Sequence, residues 1–151
     1  MERSKQLFRT LAVANFFLYF GFNVWRALFN NYAVEELGVR ADQIGVIQAI
    51  REAPGLMGFL LGFLALWFSE KRILAFSILL MGAGLILTGI SNSTSMLTVS
   101  ILVMSTGFHF FYPSNSSMVL MGVGKEEAPK MLGRLQGIAS IAAVVSTVAV
   151  W

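Results

Sequence analysis

Gln48-Ala49-Ile50-Arg51-Glu52-Ala53-Pro54-Gly55 lies inside an apolar segment that runs from about Ile44 to Phe68. A helix of roughly 20 residues crosses the hydrocarbon core of a bilayer, and this segment is long enough. The reading therefore places an arginine, a glutamate and a proline partway across a membrane. Charge at that depth is expensive unless it faces protein or a water-filled cavity. Pro54 lacks a backbone donor, and its ring clashes with the carbonyl of Ile50. Charge and a weak point within one turn predict a solute or ion pathway, with the other helices arranged around it.

Outward from this stretch the chain keeps the same character. Of its 151 residues, 56% are hydrophobic and 13% charged, against about 25% charged in soluble domains. Further apolar runs cover about 11–29, 73–90, 96–121 and 131–151, beside 44–68. They are continuous, not the short alternating segments of a barrel. Backbone polar groups without water partners then require helices. The expected fold is all-α, a polytopic bundle of five spans in a single transmembrane domain over residues 1–151. The first run is too long for a secretory signal, carries Asn15, Asn23 and Arg26, and lacks a small-residue cleavage site. The last run ends at Trp151 with no polar tail, so the chain reads as truncated. There is no cysteine, hence no thiol chemistry. The net charge of +3 gives no support for nucleic-acid binding.

Polar residues within the spans fall in stripes. Asn15, Tyr19, Asn23, Arg26 and Asn30 follow helical steps and share one narrow face. Such a stripe serves as interhelical hydrogen-bond glue or as a cavity wall, and the arginine within it favours the wall. In the second span Gln48, Arg51, Gly55, Gly58 and Gly62 share a face, which turns Arg51 toward a packed neighbour. Glu52 stands about 100° round a regular helix from Arg51. It is therefore expected to point elsewhere, pairing with Arg26 or taking a proton. The third span has little polarity beyond Ser77 and Thr88 and is expected to be peripheral. In the fourth, Thr98, Ser105, His109, Tyr112 and Ser116 share a face, and Pro113 is expected to interrupt the helix. His109 has two equally good roles, a structural hydrogen bond or a solute or proton site. The pathway residues expected from these stripes are Asn15, Tyr19, Asn23, Arg26, Arg51, Glu52, His109 and Tyr112. No pair of metal ligands and no nucleophile–base set stands out. Ser105 and His109 lie four apart, a spacing usual in packed spans, so neither an enzyme nor a cofactor is implied.

Lysine and arginine mark sidedness. Arg3, Lys5, Arg9, Lys71, Arg72, Lys125, Lys130 and Arg134 fall on one side of the five runs, and Arg40 alone on the other. The positive-inside rule puts the N-terminus in the cytoplasm, for a protein integral to an inner or plasma membrane.

Gly62-Phe63-Leu64-Ala65-Leu66-Trp67-Phe68-Ser69-Glu70-Lys71-Arg72 resembles the motif Gly-x-Leu-Ala-Asp-Arg-x-Gly-Arg-Lys of the major facilitator superfamily. Gly62, Leu64, Ala65 and Lys71 match. Leu66 and Trp67 replace the acidic and basic positions, and Ser69 the second glycine. Gly133-Arg134-Leu135-Gln136-Gly137 opens the fifth span much as in that family, and the Gly-Pro signature of its antiporters is absent. The resemblance implies about five of twelve spans, from a six-helix bundle packed against a second one. It implies a substrate site near the midplane between the halves and transport by their rocking. The missing C-terminal half, or a partner bundle, would complete it. The expected function is a secondary active transporter, or a fragment of one, moving a small polar or anionic organic solute by alternating access. Arg26, Arg51 and His109 would make its cavity electropositive. The alternative is a non-transporting membrane subunit or sensor that needs a partner protein.

Overall fold

The computed structural model describes residues 2–151. Helix α1 spans Glu2–Asn31 and continues through a π turn, Tyr32–Glu36. There follow α2 (Ala41–Arg51), α3 (Ala53–Leu56), α4 (Phe59–Trp67), α5 (Glu70–Gly89), α6 (Thr94–Val123) and α7 (Ala128–Val150), with no strand among the described residues. α1 with its π turn, α5, α6 and α7 are each long and apolar enough to cross a membrane. Ala41–Leu56 and Phe59–Trp67 together pass the same test but are bent by 47°. The all-α polytopic bundle follows from run length and apolarity.

The basic head is the beginning of α1, since no glycine or proline separates it from the apolar run. Beyond the π turn the chain reverses at Gly38, whose φ of 63° suits a residue without a Cβ. The amide of Val39 closes this turn on the carbonyl of Ala33 at 2.9 Å. The second span is broken at Glu52 and again at Met57 and Gly58. Pro54 cannot donate to Ile50. The ladder tightens locally instead, with the amide of Glu52 on Ala49 and that of Gly55 on Glu52, at 3.1 and 3.0 Å.

α5 and α6 form the tightest pair. They run antiparallel, with Gly84 against the backbone of Met104 and Gly107 against that of Ser77 and Met81. Thr88 and Ser100 hydroxyls meet between them at 3.1 Å. The apolar third span is thus peripheral on one face alone, the one that exposes Phe76, Leu79 and Ile86. Small side chains on the other face let two backbones approach closely. α1 packs chiefly on α7.

α6 does not stop at Pro113, contrary to the sequence expectation. Beyond the proline it is held from two sides. Asn15 of α1 donates from Nδ2 to Asn115 Oδ1 at 2.9 Å, and Ser117 donates to Glu70 of α5 at 3.0 Å. Neighbouring helices and hydroxyls make such a proline tolerable in a membrane helix.

A side chain at Gly107 has no room, because its Cβ would run into the backbone of α5. Gly107→Leu is expected to destabilise the bundle by about 1–3 kcal/mol or more, seen as a lower thermal midpoint in detergent. Gly82→Ala, whose Cβ meets nothing within 4 Å, should stay within about 0.5 kcal/mol of wild type.

Candidate functional site

The site is built on the break in the second span. In an unbroken helix the Gly55 amide would bond to the carbonyl of Arg51, but here it turns to Glu52. The freed carbonyl is taken by α6, where Ser105 Oγ donates to it at 2.5 Å. That bond fixes the end of α2 against α6 and brings Arg51 and Glu52 beside His109.

Glu52 keeps near-helical backbone angles (φ −80°, ψ −10°), and the two long side chains bend toward each other. Arg51 Nη2 and Glu52 Oε1 are paired. The other carboxylate oxygen, Oε2, lies 3.4 Å from His109 Nε2. One carboxylate therefore stands between a guanidinium and an imidazole. Gly55 gives the imidazole its place, since a Cβ there would lie 2.8 Å from His109 Cε1. The side chains of Arg51 and His109 are 24% and 26% exposed and that of Glu52 is 53% exposed, so the cluster is reachable from outside the packed core.

Aromatic rings wall it. Phe22 of α1 stacks on Phe108 of α6 at 4.4 Å, and Tyr19 meets the same Phe108 edge-on at 6.1 Å. The Arg51 guanidinium carbon lies 5.8 Å from the centre of the Trp25 ring, within cation–π range. Between them is a cavity of about 50 Å³, lined by Phe22, Arg51, Glu52, Ser105, Phe108 and His109 together with Met104. Among the described residues no three His, Cys, Asp or Glu side chains gather as metal ligands.

Of the eight residues expected along a pathway, Arg51, Glu52 and His109 come together, and Tyr19 reaches them through Phe108. The others are placed differently. Asn15 is buried, donating to the carbonyl of Leu11 and to Asn115. Asn23 is half-buried and donates to the carbonyl of Tyr19 at 2.7 Å. Arg26 and Tyr112 are exposed. Among the described residues the partners of Glu52 are Arg51 and His109, not Arg26. Phe22, Trp25 and Phe108 are not among the expected residues, and Ser105 is expected on the face of His109 without a role. The polar face of the fourth span already contains Ser105, but its acceptor exists only because α2 ends at Arg51. A larger hollow of about 1010 Å³ lies elsewhere, at the N-terminal end of α1, and none of the eight residues lines it.

A family model described as Major Facilitator Superfamily matches residues 11–150. No curated protein matches the chain.

Removing the Ser105 hydroxyl leaves the Arg51 carbonyl without its partner on α6. Ser105→Ala is expected to cost about 1–3 kcal/mol, measured as a fall in thermal midpoint. Ser140→Ala, at an exposed serine bonded within its own helix, should change stability by less than about 0.5 kcal/mol.

Proposed function

The chain belongs to the Major Facilitator Superfamily, whose members are membrane transporters, and from that premise we propose that it is a secondary active transporter, or the N-terminal portion of one. It moves a small polar or anionic organic solute by alternating access, with its N-terminus in the cytoplasm. The observation that carries the solute class is the meeting of Arg51, Glu52 and His109 at the break of the second span. Ionisable groups in membrane helices mark pathways by default, and here they sit where the helix is least regular. Two potential cations against one carboxylate favour an anion over a cation.

The pathway is assigned to the face shared by Tyr19, Arg51, Glu52 and His109, with Asn23, Arg26 and Tyr112 farther along it. Asn15 supports this face through its contact with Asn115. α4 supports the completion of the bundle by a missing half or a partner bundle. It has no buried residue, and Phe59, Phe63, Leu66 and Trp67 are all exposed. Eight basic residues at one end against Arg40 at the other support the orientation.

The test is uptake of small organic anions by the native gene product in proteoliposomes under an inward proton gradient. Wild type should accumulate one or more of them above protein-free vesicles. Glu52→Gln should lower gradient-driven accumulation by about tenfold or more while leaving downhill exchange measurable. If no organic anion or neutral polar solute enters with the wild-type protein, the transport reading fails.

A further inference from the structure

We propose that Glu52 is an internal stand-in for the carboxylate of the solute, which on binding displaces it from Arg51 with uptake of one proton. This rests on the transport reading above and narrows its solute to a carboxylate with an apolar body.

The inference starts from an incomplete ion pair. An arginine presents Nε and Nη2 as two parallel donors that match the two oxygens of a carboxylate. Arg40 uses both on Asp42, at 3.1 and 3.2 Å. Arg51 uses one. Its Nη2 meets Glu52, while its Nε is buried and has no acceptor. The second oxygen of Glu52 is turned to His109 instead. The neighbouring Trp25 repeats the shortage, for its indole Nε1 is also buried without an acceptor and the residue is 6% exposed. Two buried N–H groups on neighbouring side chains thus lack an acceptor among the described residues. The cavity beside Arg51 has about 50 Å³. At about 10–15 Å³ per water that is room for a few waters or for one carboxylate head. Phe22, Phe108 and Met104 on the same wall offer apolar contact to the atoms that adjoin that head.

A carboxylate on both Nε and Nη2 of Arg51 must displace Glu52 Oε1. Glu52 is the most exposed member of the cluster, so it can move without new burial, and its other oxygen is already near His109. The charge balance then sets the stoichiometry. Before binding, the Arg51 guanidinium is paired with the Glu52 carboxylate. Afterwards the solute carboxylate cancels Arg51, and Glu52 is left negative. Neutrality returns when a proton from solution enters the Glu52–His109 pair. A net charge in this position is costly, so one proton accompanies each carboxylate. The titratable and charged groups on the elements packed around His109 are Glu52 and Arg51 from the broken span and Tyr19 from α1, with Tyr112 one turn along α6 and Arg26 exposed on α1.

The experiment uses the native gene product in lipid nanodiscs, with benzoate and its neutral isostere benzamide as probes. Equilibrium binding is paired with proton uptake measured by an indicator dye. Wild type should bind benzoate with one proton taken up for each molecule, and affinity should rise by up to about tenfold for each unit fall in pH. Benzamide should bind about tenfold or more weakly and take up no proton. Glu52→Gln should bind benzoate at least as tightly as wild type, with no proton uptake and no pH dependence. Arg51→Lys, which lacks the two-pronged edge, should lose about tenfold or more in benzoate affinity. Should that variant not reach the membrane, Glu52→Gln decides the matter alone. Unaltered proton uptake in Glu52→Gln overturns the proposal. Equal binding of benzoate and benzamide overturns it too, and leaves the transport reading standing if solute uptake by proteoliposomes persists. Failure of both binding and uptake overturns the two together.

Discussion

A single hydroxyl holds the arrangement in place. Proline in a lipid-embedded helix removes a ladder bond, and hydrocarbon offers nothing in exchange for a freed carbonyl. The Arg51 carbonyl, released where the Gly55 amide turns to Glu52, avoids that cost because Ser105 donates to it from α6. The bond does more than satisfy a backbone group. It pins the interrupted end of α2 to a particular turn of α6, one turn before His109. Arg51, Glu52 and His109 become neighbours as a consequence of where the carbonyl is anchored.

The anchor is useful only if α6 is itself fixed, and the glycines between α5 and α6 provide that. Gly84 and Gly107 let the two backbones touch near the level of Met104, next to the serine that caps α2. The helix with almost no polar groups thus serves the polar cluster indirectly, as the bed on which α6 lies. α1 completes the frame from the other side with Phe22 and Trp25, and its Asn15 is joined to Asn115 beyond Pro113. Rigid elements around a short irregular one are what a positioned site requires.

The fold was legible because its cause is one-dimensional. Apolar run length alone separates membrane helices from the alternatives, and Pro54 announced a weakness where one is found. The pairing of charges was less legible. The helical offset between Arg51 and Glu52 points their side chains apart, but both are long enough to bend into contact. Arg26, a cation on the polar stripe of α1, is exposed and stands apart from the Arg51, Glu52 and His109 cluster. Pro113 was expected to act as Pro54 does. The two prolines share a chemistry and differ in surroundings. α6 is gripped on both sides of Pro113, whereas the segment after Pro54 contains Gly55 and Gly58 and leads into a helix with no buried residue. Tertiary support, absent from any local window, decides which proline breaks its helix.

That contrast bears on why polarity and weakness coincide in the second span. α2 is tied to α6 at Arg51, whereas α4, beyond the bend, buries none of its residues. The joint between them is where a packed helix meets one with no buried residue. A ligand shifts a conformational equilibrium only by as much as it binds the two states differently. A ligand held at a rigid surface would see the same contacts whichever way α4 lay. One that exchanges places with Glu52, a residue within the joint itself, changes what the joint is bonded to. Placing the charges at the break is therefore more than a tolerance of irregular backbone. On the proposed reading it sets the exchange of carboxylates at Arg51 beside the segment that joins α2 to α4.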